Sequence, residues 1–243
     1  MIALETRNLV RRFGGVTAVD DLRLQVRAGE IRCLIGPNGA GKSTVLAMLA
    51  GHLRPTAGAI LFANRDISAL PAYWRARHGI GVKFQVPSIF PALSVRQNLK
   101  IAKQRRLTGP ELGISVDATL RTLKLAHRAD DLAQELSHGE KQWLELGLAL
   151  AVSPTLLLLD EPTAGMTPAE TAATGELLKS LNSDGMTIVA VEHDMAFVRQ
   201  IAHSVTVLNL GRHFAEGSVD QILESSAVLD LYLGRQNGEQ PGA

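Results

Sequence analysis

The first 35 residues alternate short apolar runs with glycine-containing turns. This pattern predicts strands over residues 2–35, paired mostly as antiparallel hairpins. The last apolar run ends at Ile35 and leads directly into a glycine-rich loop. Residues 43–50, STVLAMLA, follow that loop with helical character, and Gly51 supplies a stop for the helix. The pattern therefore predicts a strand, a loop and a helix in direct succession.

The middle of the chain is dominated by helical patterns. Two further strands are predicted around residues 59–63 and 79–84, and the helical patterns extend from about residue 86 to residue 152. We interpret this stretch, 86–152, as a helical subdomain inserted into the fold. Within it, residues 106–115, RLTGPELGIS, are rich in turn-forming residues and are predicted as a surface loop.

Continuous apolar runs return in the last third of the chain. Residues 155–160 and 186–192 are typical of parallel strands that are covered on both faces. A helix is predicted between them, over residues 168–182. This alternation indicates an α/β fold with a mostly parallel sheet. We predict a single domain over residues 1–233 and a flexible, polar tail over residues 234–243.

The composition narrows the classes of function. Of the 243 residues, 46% are hydrophobic and 20% are charged, which is typical of a folded protein. A net charge of +1 excludes the broad positive field of nucleic-acid binders, so we expect no nucleic-acid partner. Charged residues interrupt every apolar run before it could span a bilayer, and the N-terminus lacks a signal-peptide pattern, so we expect a cytoplasmic chain. The single cysteine, Cys33, lies in the apolar run IRCLI and is predicted to be buried.

Residues 36–43 match the phosphate-binding pattern G-x-x-x-x-G-K-[ST] in full, directly after a strand and directly before a helix. Glycines let backbone N–H groups wrap around phosphates, and the helix N-terminus adds partial positive charge. Lys42 is expected to reach the β and γ phosphates, and Ser43 to bind the Mg2+ that bridges them. The plainer interpretation is a glycine-rich turn before a helix. The residues predicted to bind ATP are Gly36, Pro37, Asn38, Gly39, Ala40, Gly41, Lys42, Ser43 and Thr44.

Acidic and polar residues stand at the ends of two predicted strands. Asp160 closes the run LLLLD, where a carboxylate could hold Mg2+, and Glu161 could orient or deprotonate the attacking water. His193 follows the next strand, at the sheet edge where open α/β sheets bind ligands, so we expect a contact to the γ-phosphate. The alternatives are an ordinary acidic strand end and a partly exposed histidine. Asp194 is predicted to cap the helix that follows.

The segment Leu-Ser-His-Gly-Glu at residues 136–140 resembles the signature motif of the ATP-binding cassette (ABC) ATPases. The order of motifs resembles this family over nearly the whole chain. Ser137 and Glu140 also form the capping-box pattern S-x-x-E, so a well-capped helix is predicted in either case. The resemblance implies an ABC ATPase fold with an N-terminal antiparallel β subdomain, and a dimer in which this helix start faces the ATP held by the partner. The residues implied in that contact are Ser137, His138, Gly139 and Glu140.

Three more positions gain a role only through the resemblance. Gln85 matches the family's Q-loop glutamine, which implies a catalytic contact to Mg2+ and water. Phe13 matches the aromatic residue that stacks on adenine, with packing in the core as the alternative. Thr167 stands in the D-loop, where many relatives have an aspartate. Thr167, Pro168 and Glu170 nevertheless predict a well-capped helix start.

Several segments are similar to one branch of the family, which takes up urea and short amides, and to the related branched-chain amino acid branch. His138 replaces the more common second glycine of the signature, which implies a backbone conformation open to residues with a Cβ. Val82 and Val86 stand where basic residues are expected in the urea type. The closing YLGR also occurs in lipopolysaccharide-export ATPases. The segments that carry this resemblance are 79–90, 136–151, 161–171, 191–202 and 232–235.

The resemblance also implies partners. These are a second, identical or similar ATPase subunit, membrane permease subunits on the inner face of the cell membrane and, indirectly, an extracytoplasmic substrate-binding protein. Residues 86–98 are implied in the groove that receives a coupling helix of the permease, with Phe90, Leu93 and Val95 as contacts. The tryptophans Trp74 and Trp143 are instead expected in core packing.

Two other classes of function are alternatives. A soluble, non-transport ABC ATPase of translation or DNA repair usually carries tandem cassettes or a long coiled-coil insertion, and this sequence has neither. A P-loop kinase or GTPase would give no reason for the signature helix.

Overall fold

The structure is a computed structural model and describes residues 1–84 and 88–233. Its N-terminal sheet has the strand order β2-β1-β4-β5, and every pairing in it is antiparallel. The predicted hairpin is confirmed: β1 and β2 meet at a turn in which Gly14 adopts a φ of 54°. The strands are β1 (Ile2–Phe13), β2 (Val16–Arg27), β4 (Ala57–Phe62) and β5 (Arg65–Asp66).

The second sheet has six strands in the order β10-β9-β3-β8-β7-β6. All its pairings are parallel except that between β9 and β10, so the predicted α/β fold with a mostly parallel sheet is confirmed. No strand is predicted from the sequence at β9 or β10. The strands are β3 (Ile31–Ile35), β6 (Ile80–Lys83), β7 (Leu156–Asp160), β8 (Thr187–Val191), β9 (Ser204–Asn209) and β10 (Arg212–Gly217).

Alternate residues of the central strands enter two different cores, because successive side chains of a strand point to opposite faces of the sheet. Cys33 and Leu157 pack in the core shared with the middle helices. Leu34 and Leu158 pack in the core shared with α1 and the N-terminal sheet. The expected burial of Cys33 is confirmed.

Helices cover both faces of the parallel sheet, and three of them, α3, α4 and α5, lie between β6 and β7 in the chain. In the described parts of the chain, no helix combines the length and the apolar character needed to span a membrane. The helices are α1 (Lys42–Ala50), α2 (Ala72–Arg77), α3 (Val95–Lys103), α4 (Gly109–Thr122), α5 (His138–Leu150), α6 (Pro168–Ser183), α7 (Met195–Ile201), α8 (Val219–Leu223) and α9 (Ser226–Leu233).

The surface loop predicted over residues 106–115 is wrong from Gly109 onward, because α4 begins there. Thr108 has the extended backbone of an N-cap, and a proline follows in the first turn, where its missing N–H costs no helical hydrogen bond. Leu112 and Val116 are buried on one face of α4. The Thr-Gly-Pro sequence is therefore a helix start, although the same residue types also form turns.

Candidate functional site

The phosphate-binding loop is built by glycines that no other residue could replace without strain. Gly36, Gly39 and Gly41 have φ values of 145°, 79° and 95°, in the region that favours glycine. A Cβ on Gly36 would lie 2.2 Å from the carbonyl oxygen of Leu208, and one on Gly41 would lie 2.5 Å from that of Ala18. Main-chain atoms of strands β9 and β2 therefore pack directly against the loop.

Lys42 turns its side chain back into this loop. Its Nζ donates hydrogen bonds to the carbonyl oxygens of Gly36 at 2.7 Å and of Pro37 at 3.0 Å. Partial burial lowers the pKa of Lys42, and the negative charges of Glu161 and Asp160 oppose that effect. The ammonium group thus lies between the loop and the acidic strand end.

Ser43 and Asp160 bring two oxygen ligands together. The Oγ of Ser43 lies 3.5 Å from Oδ1 of Asp160. Asp160 is buried, and burial raises the pKa of its carboxyl group, assisted by the charge of Glu161. A hydroxyl and a carboxylate are oxygen ligands of the kind that Mg2+ takes when substrate phosphates supply the others. The residues present therefore fit the predicted Mg2+ site.

Glu161 and His193 lie side by side at the ends of β7 and β8. The Nδ1 of His193 is 3.7 Å from Oε1 of Glu161, and the histidine side chain is largely exposed. Glu161 adopts a φ of 46°, which costs a residue with a Cβ about 1–2 kcal/mol. The end of the neighbouring strand β8 helps to hold this strained backbone in place, because the N–H of Glu161 donates to the carbonyl oxygen of Val191 at 3.0 Å.

Glu192, which the sequence patterns did not indicate as a site residue, is only 1% exposed. Its carboxylate accepts hydrogen bonds from Oγ1 of Thr163 at 3.0 Å and from the N–H of His193 at 3.2 Å. Burial raises the pKa of Glu192. This side chain ties the loop after β7 to the residue that carries the candidate phosphate contact. The sequence feature that could have indicated Glu192 is an acidic residue directly after a predicted apolar strand.

A buried ion pair was also missed. Nζ of Lys83, at the end of β6, lies 3.7 Å from Oε2 of Glu145 on α5, and both side chains are almost fully buried. Burial lowers the pKa of Lys83 and raises that of Glu145, while each charge favours the ionised form of the other. The pair links the edge of the parallel sheet to the helix that begins with the signature residues.

The predicted helix caps are confirmed. The N–H of Glu140 donates to Oγ of Ser137 at 3.2 Å, and the N–H of Ser137 donates to the Glu140 carboxylate at 2.8 Å. Thr167 and Glu170 form the same reciprocal pair at the start of α6. Asp194 caps α7 by accepting from two backbone N–H groups.

Two helix starts meet at the signature residues. Oγ of Ser137 lies 3.4 Å from Oε1 of Glu170, and a Cβ on Gly139 would lie 2.3 Å from that same oxygen. His138 is the first residue of α5 and has a conformation that any residue can adopt, as expected from the sequence. Its Nε2 lies 2.9 Å from the carbonyl oxygen of Ala164.

The predicted adenine contact, Phe13, lies at the surface of the protein. Phe13 is 43% exposed, and the guanidinium of Arg11 lies 4.4 Å from the centre of its ring, so the alternative of core packing is wrong. Gln85 lies outside the described residues. Both tryptophans are partly buried against the cores, as expected: Trp74 packs against one and Trp143 against the other.

A groove lies beside α2, α3 and the end of α5. Phe90 is 52% exposed but is not among the residues that line it. Val95 is fully buried at the start of α3, so the expectation that Val95 contacts a partner is wrong. Asn98 holds the loop before α3 through hydrogen bonds with both the N–H and the carbonyl of Phe90. The groove is lined by Tyr73, Ala76, Arg77, Ala102, Arg105, Arg106 and Val152.

Comparison with known proteins identifies the family. The family model described as ABC transporter matches residues 19–164. The high-affinity branched-chain amino acid transport ATP-binding protein LivG of Salmonella typhimurium is 36% identical over 95% of this chain and 97% of its own length. The lipopolysaccharide export system ATP-binding protein LptB of Escherichia coli (strain K12) is 34% identical over 96% of this chain and 98% of its own length.

Solved structures agree with this result. The ADP conformation of MJ1267, an ATP-binding cassette of an ABC transporter, has a TM-score of 0.87 and 30% identity, and covers 96% of this chain and 99% of its own. A dimeric post-hydrolysis state of the cassette MJ0796, bound to ADP and Pi, has a TM-score of 0.80 and 26% identity, and covers 89% of this chain and 98% of its own. The chain therefore belongs to the ATP-binding cassette (ABC) transporter ATPase family.

Proposed function

We propose that this chain drives an importer by binding and hydrolysing ATP between two facing ATPase subunits. The observation that carries the proposal is the convergence of five side chains at one end of the parallel sheet. Lys42 and Ser43 are the first residues of α1. Asp160 ends β7 and Glu161 follows it directly, while His193 lies just after β8. Open α/β sheets bind their ligands at this edge.

The loop binds the phosphates of ATP. Its backbone N–H groups and the N-terminus of α1 offer hydrogen bonds and partial positive charge, and Lys42 adds a full charge that reaches the β and γ phosphates. Ser43 and Asp160 hold Mg2+, which when bound neutralises charge on those phosphates. The exposed ring of Phe13 stacks on the adenine.

Hydrolysis uses the pair at the next two strand ends. Glu161 accepts a proton from a water molecule as the water oxygen attacks the γ-phosphorus, and the bond to the bridging oxygen of ADP breaks. His193 contacts the γ-phosphate, and its distance of 3.7 Å from Glu161 lets both groups face the same phosphate. The role proposed for Gln85, as a contact to metal and water, rests on the sequence resemblance.

A second subunit completes each site. The capped start of α5, with Ser137, His138, Gly139 and Glu140, contacts the γ-phosphate of ATP bound to the partner. The dimeric state of MJ0796 with ADP and Pi supports this arrangement. Closing the dimer from a 1:99 to a 99:1 population requires about 5.5 kcal/mol of differential binding, which two triphosphates held from both sides can supply. The partner subunit is an identical or a similar ATPase.

The membrane partner is a permease whose coupling helix enters the groove beside α2 and α3. Tyr73 is 66% exposed there, and the arginines Arg105 and Arg106 also line this groove. Aromatic residues and arginines are enriched in protein–protein interfaces, which supports this assignment. In this arrangement the chain is peripheral on the inner face of the membrane, and an extracytoplasmic binding protein delivers the substrate.

We propose branched-chain amino acids, urea or short amides as the transported substrates. The likeness to LivG supports amino acid uptake, and the segments around His138 support the urea and short-amide branch. Lipopolysaccharide export is the second candidate, because LptB is similar over almost the same length. Both relatives belong to transport systems, which favours transport over a role in translation or DNA repair.

Replacing the proposed catalytic carboxylate tests the hydrolysis mechanism. Glu161→Gln keeps the shape of the side chain but removes the base, so ATP hydrolysis should fall by about 100-fold or more. Binding of ATP, measured by calorimetry, should stay within about twofold of wild type. The matched control is Glu176→Gln, which changes an exposed glutamate of α6 and should leave hydrolysis unchanged. Hydrolysis by Glu161→Gln at the wild-type rate would show that another group is the base.

Isolation of the native complex tests the transport assignment. The Glu161→Gln variant, purified with ATP in mild detergent, should carry hydrophobic permease subunits. The associated binding protein can then be titrated with leucine, urea and acetamide. Tight binding of one of these assigns the branch, whereas a complex that binds lipopolysaccharide and none of them would favour export.

A further inference from the structure

His138 makes a contact that a glycine at this position could not make. Its Nε2 lies 2.9 Å from the carbonyl oxygen of Ala164, in the loop that follows β7. A carbonyl oxygen can only accept, so Nε2 carries the hydrogen and donates it. The imidazole fits beside the loop because residue 165 is a glycine: a Cβ there would lie only 2.9 Å from Nε2. Gly165 therefore leaves the space that the imidazole fills.

The contacted loop is the one that carries Glu161. The N–H of Ala164 donates to the carbonyl oxygen of Glu161 at 3.2 Å. Two successive hydrogen bonds thus connect the His138 side chain, through a single residue, to the backbone of the proposed catalytic base. That backbone is already held in a left-handed conformation, with a φ of 46°. A small shift of Ala164 would therefore bear directly on the position of the Glu161 carboxylate.

Neighbouring contacts of α5 reach a different element. Nε1 of Trp143 donates to Oγ1 of Thr174 at 2.9 Å, and Ser137 faces Glu170 at 3.4 Å. Both partners lie on α6, not in the loop after β7. These contacts fix the orientation of α5 against α6. The contact of His138, by contrast, joins the start of α5 to the loop of the catalytic base.

We propose that His138 is a positioning residue that couples the two ATP sites of the dimer. This inference rests on the proposed function, in which the start of α5 serves the partner's ATP and Glu161 serves the chain's own ATP. When α5 engages the partner's nucleotide, its first residue pulls on the carbonyl of Ala164 and sets the backbone of Glu161. Occupation of one site then favours hydrolysis at the other.

Substitutions at residue 138 test this coupling. His138→Ala and His138→Gly remove the donor, and His138→Gln offers an amide N–H at a similar reach. In the full ATPase complex, we expect wild type to hydrolyse ATP with positive cooperativity. The Ala and Gly variants should lose that cooperativity, with a Hill coefficient near 1 and kcat lower by about 3- to 10-fold, in the range of one neutral hydrogen bond. His138→Gln should restore both quantities.

Two further measurements separate positioning from a merely structural role. Binding of a fluorescent ADP to the chain's own loop should be unchanged in all residue-138 variants. Trp143→Phe removes the neighbouring hydrogen bond to α6 but keeps an aromatic ring, so it should lower the thermal midpoint and leave the Hill coefficient unchanged.

The inference is overturned if wild type shows no cooperativity, if His138→Ala remains as cooperative as wild type, or if His138→Gln fails to restore the coupling. These outcomes differ from failure of the proposed function. If the proposed function were wrong, Glu161→Gln would not dimerise with ATP, whichever residue stands at position 138.

Discussion

The phosphate-binding loop and the start of α5 both serve phosphates in the proposed mechanism, but they are built in different ways. The loop is one contiguous segment whose backbone forms the site, and its glycines meet main-chain atoms of β2 and β9. The start of α5 is held by side-chain contacts to a distant segment, from His138 to the carbonyl oxygen of Ala164 and from Ser137 to the side chain of Glu170. A backbone segment such as the loop can be predicted from the sequence, whereas the long-range contacts that hold the start of α5 cannot.

We expect the largest functional effects when a glycine in each region is replaced by alanine. Gly41→Ala places a Cβ 2.5 Å from a carbonyl oxygen at a φ of 95°, a strain of about 1–3 kcal/mol that should weaken ATP binding by about 5- to 150-fold. Gly139→Ala meets only the movable side chain of Glu170. It should keep ATP binding and lose most hydrolysis. Calorimetry and a phosphate-release assay distinguish the two results, and equal loss of ATP binding in both variants would contradict the comparison.

The buried pair behind α5 should give the largest effect on folding. Lys83→Met leaves Glu145 buried without its partner, and breaking such a pair costs about 3–5 kcal/mol. The double variant Lys83→Met/Glu145→Leu removes both charges and should recover most of that loss. Urea denaturation measures the free energies of unfolding. If the single and double variants are equally unstable, the two charges do not act as a pair.

We expect the smallest effect from removing the cap at the start of α6. Thr167→Ala removes the side chain that caps this helix and should cost about 1 kcal/mol of stability. Because the same cap orients Glu170 toward Ser137, hydrolysis should also fall. Ser218→Ala removes an equivalent cap from α8, far from these contacts in the chain. It should cost similar stability and leave hydrolysis unchanged, so equal activities of the two variants would argue against a role for the α6 cap.

Much of the fold could be predicted because local patterns determine it. The alternation of apolar runs gave β7 and β8, and the capping boxes gave the starts of α5 and α6. The predicted loop at residues 106–115 was wrong because Thr-Gly-Pro is compatible both with a turn and with a helix start. Val95 was assigned to a partner surface although it begins α3 with its side chain in the core.

The site could be predicted only in part, for a physical reason. Local spacing indicated Lys42 and Asp160, but nothing local indicates that His138 reaches a carbonyl 26 residues away. The burial of Glu192 and the strained backbone of Glu161 likewise arise from packing between strands, not from neighbours in sequence.

The most direct test of the central claim is the mass of the Glu161→Gln protein in solution, measured by light scattering with and without ATP. We expect ATP to convert a 26.1 kDa monomer into a species of twice that mass, holding two nucleotides, either alone or with its native partner ATPase. Ser137→Arg in the same background should prevent this conversion while the loop still binds ATP. A protein that binds ATP but stays monomeric with every partner would contradict the account.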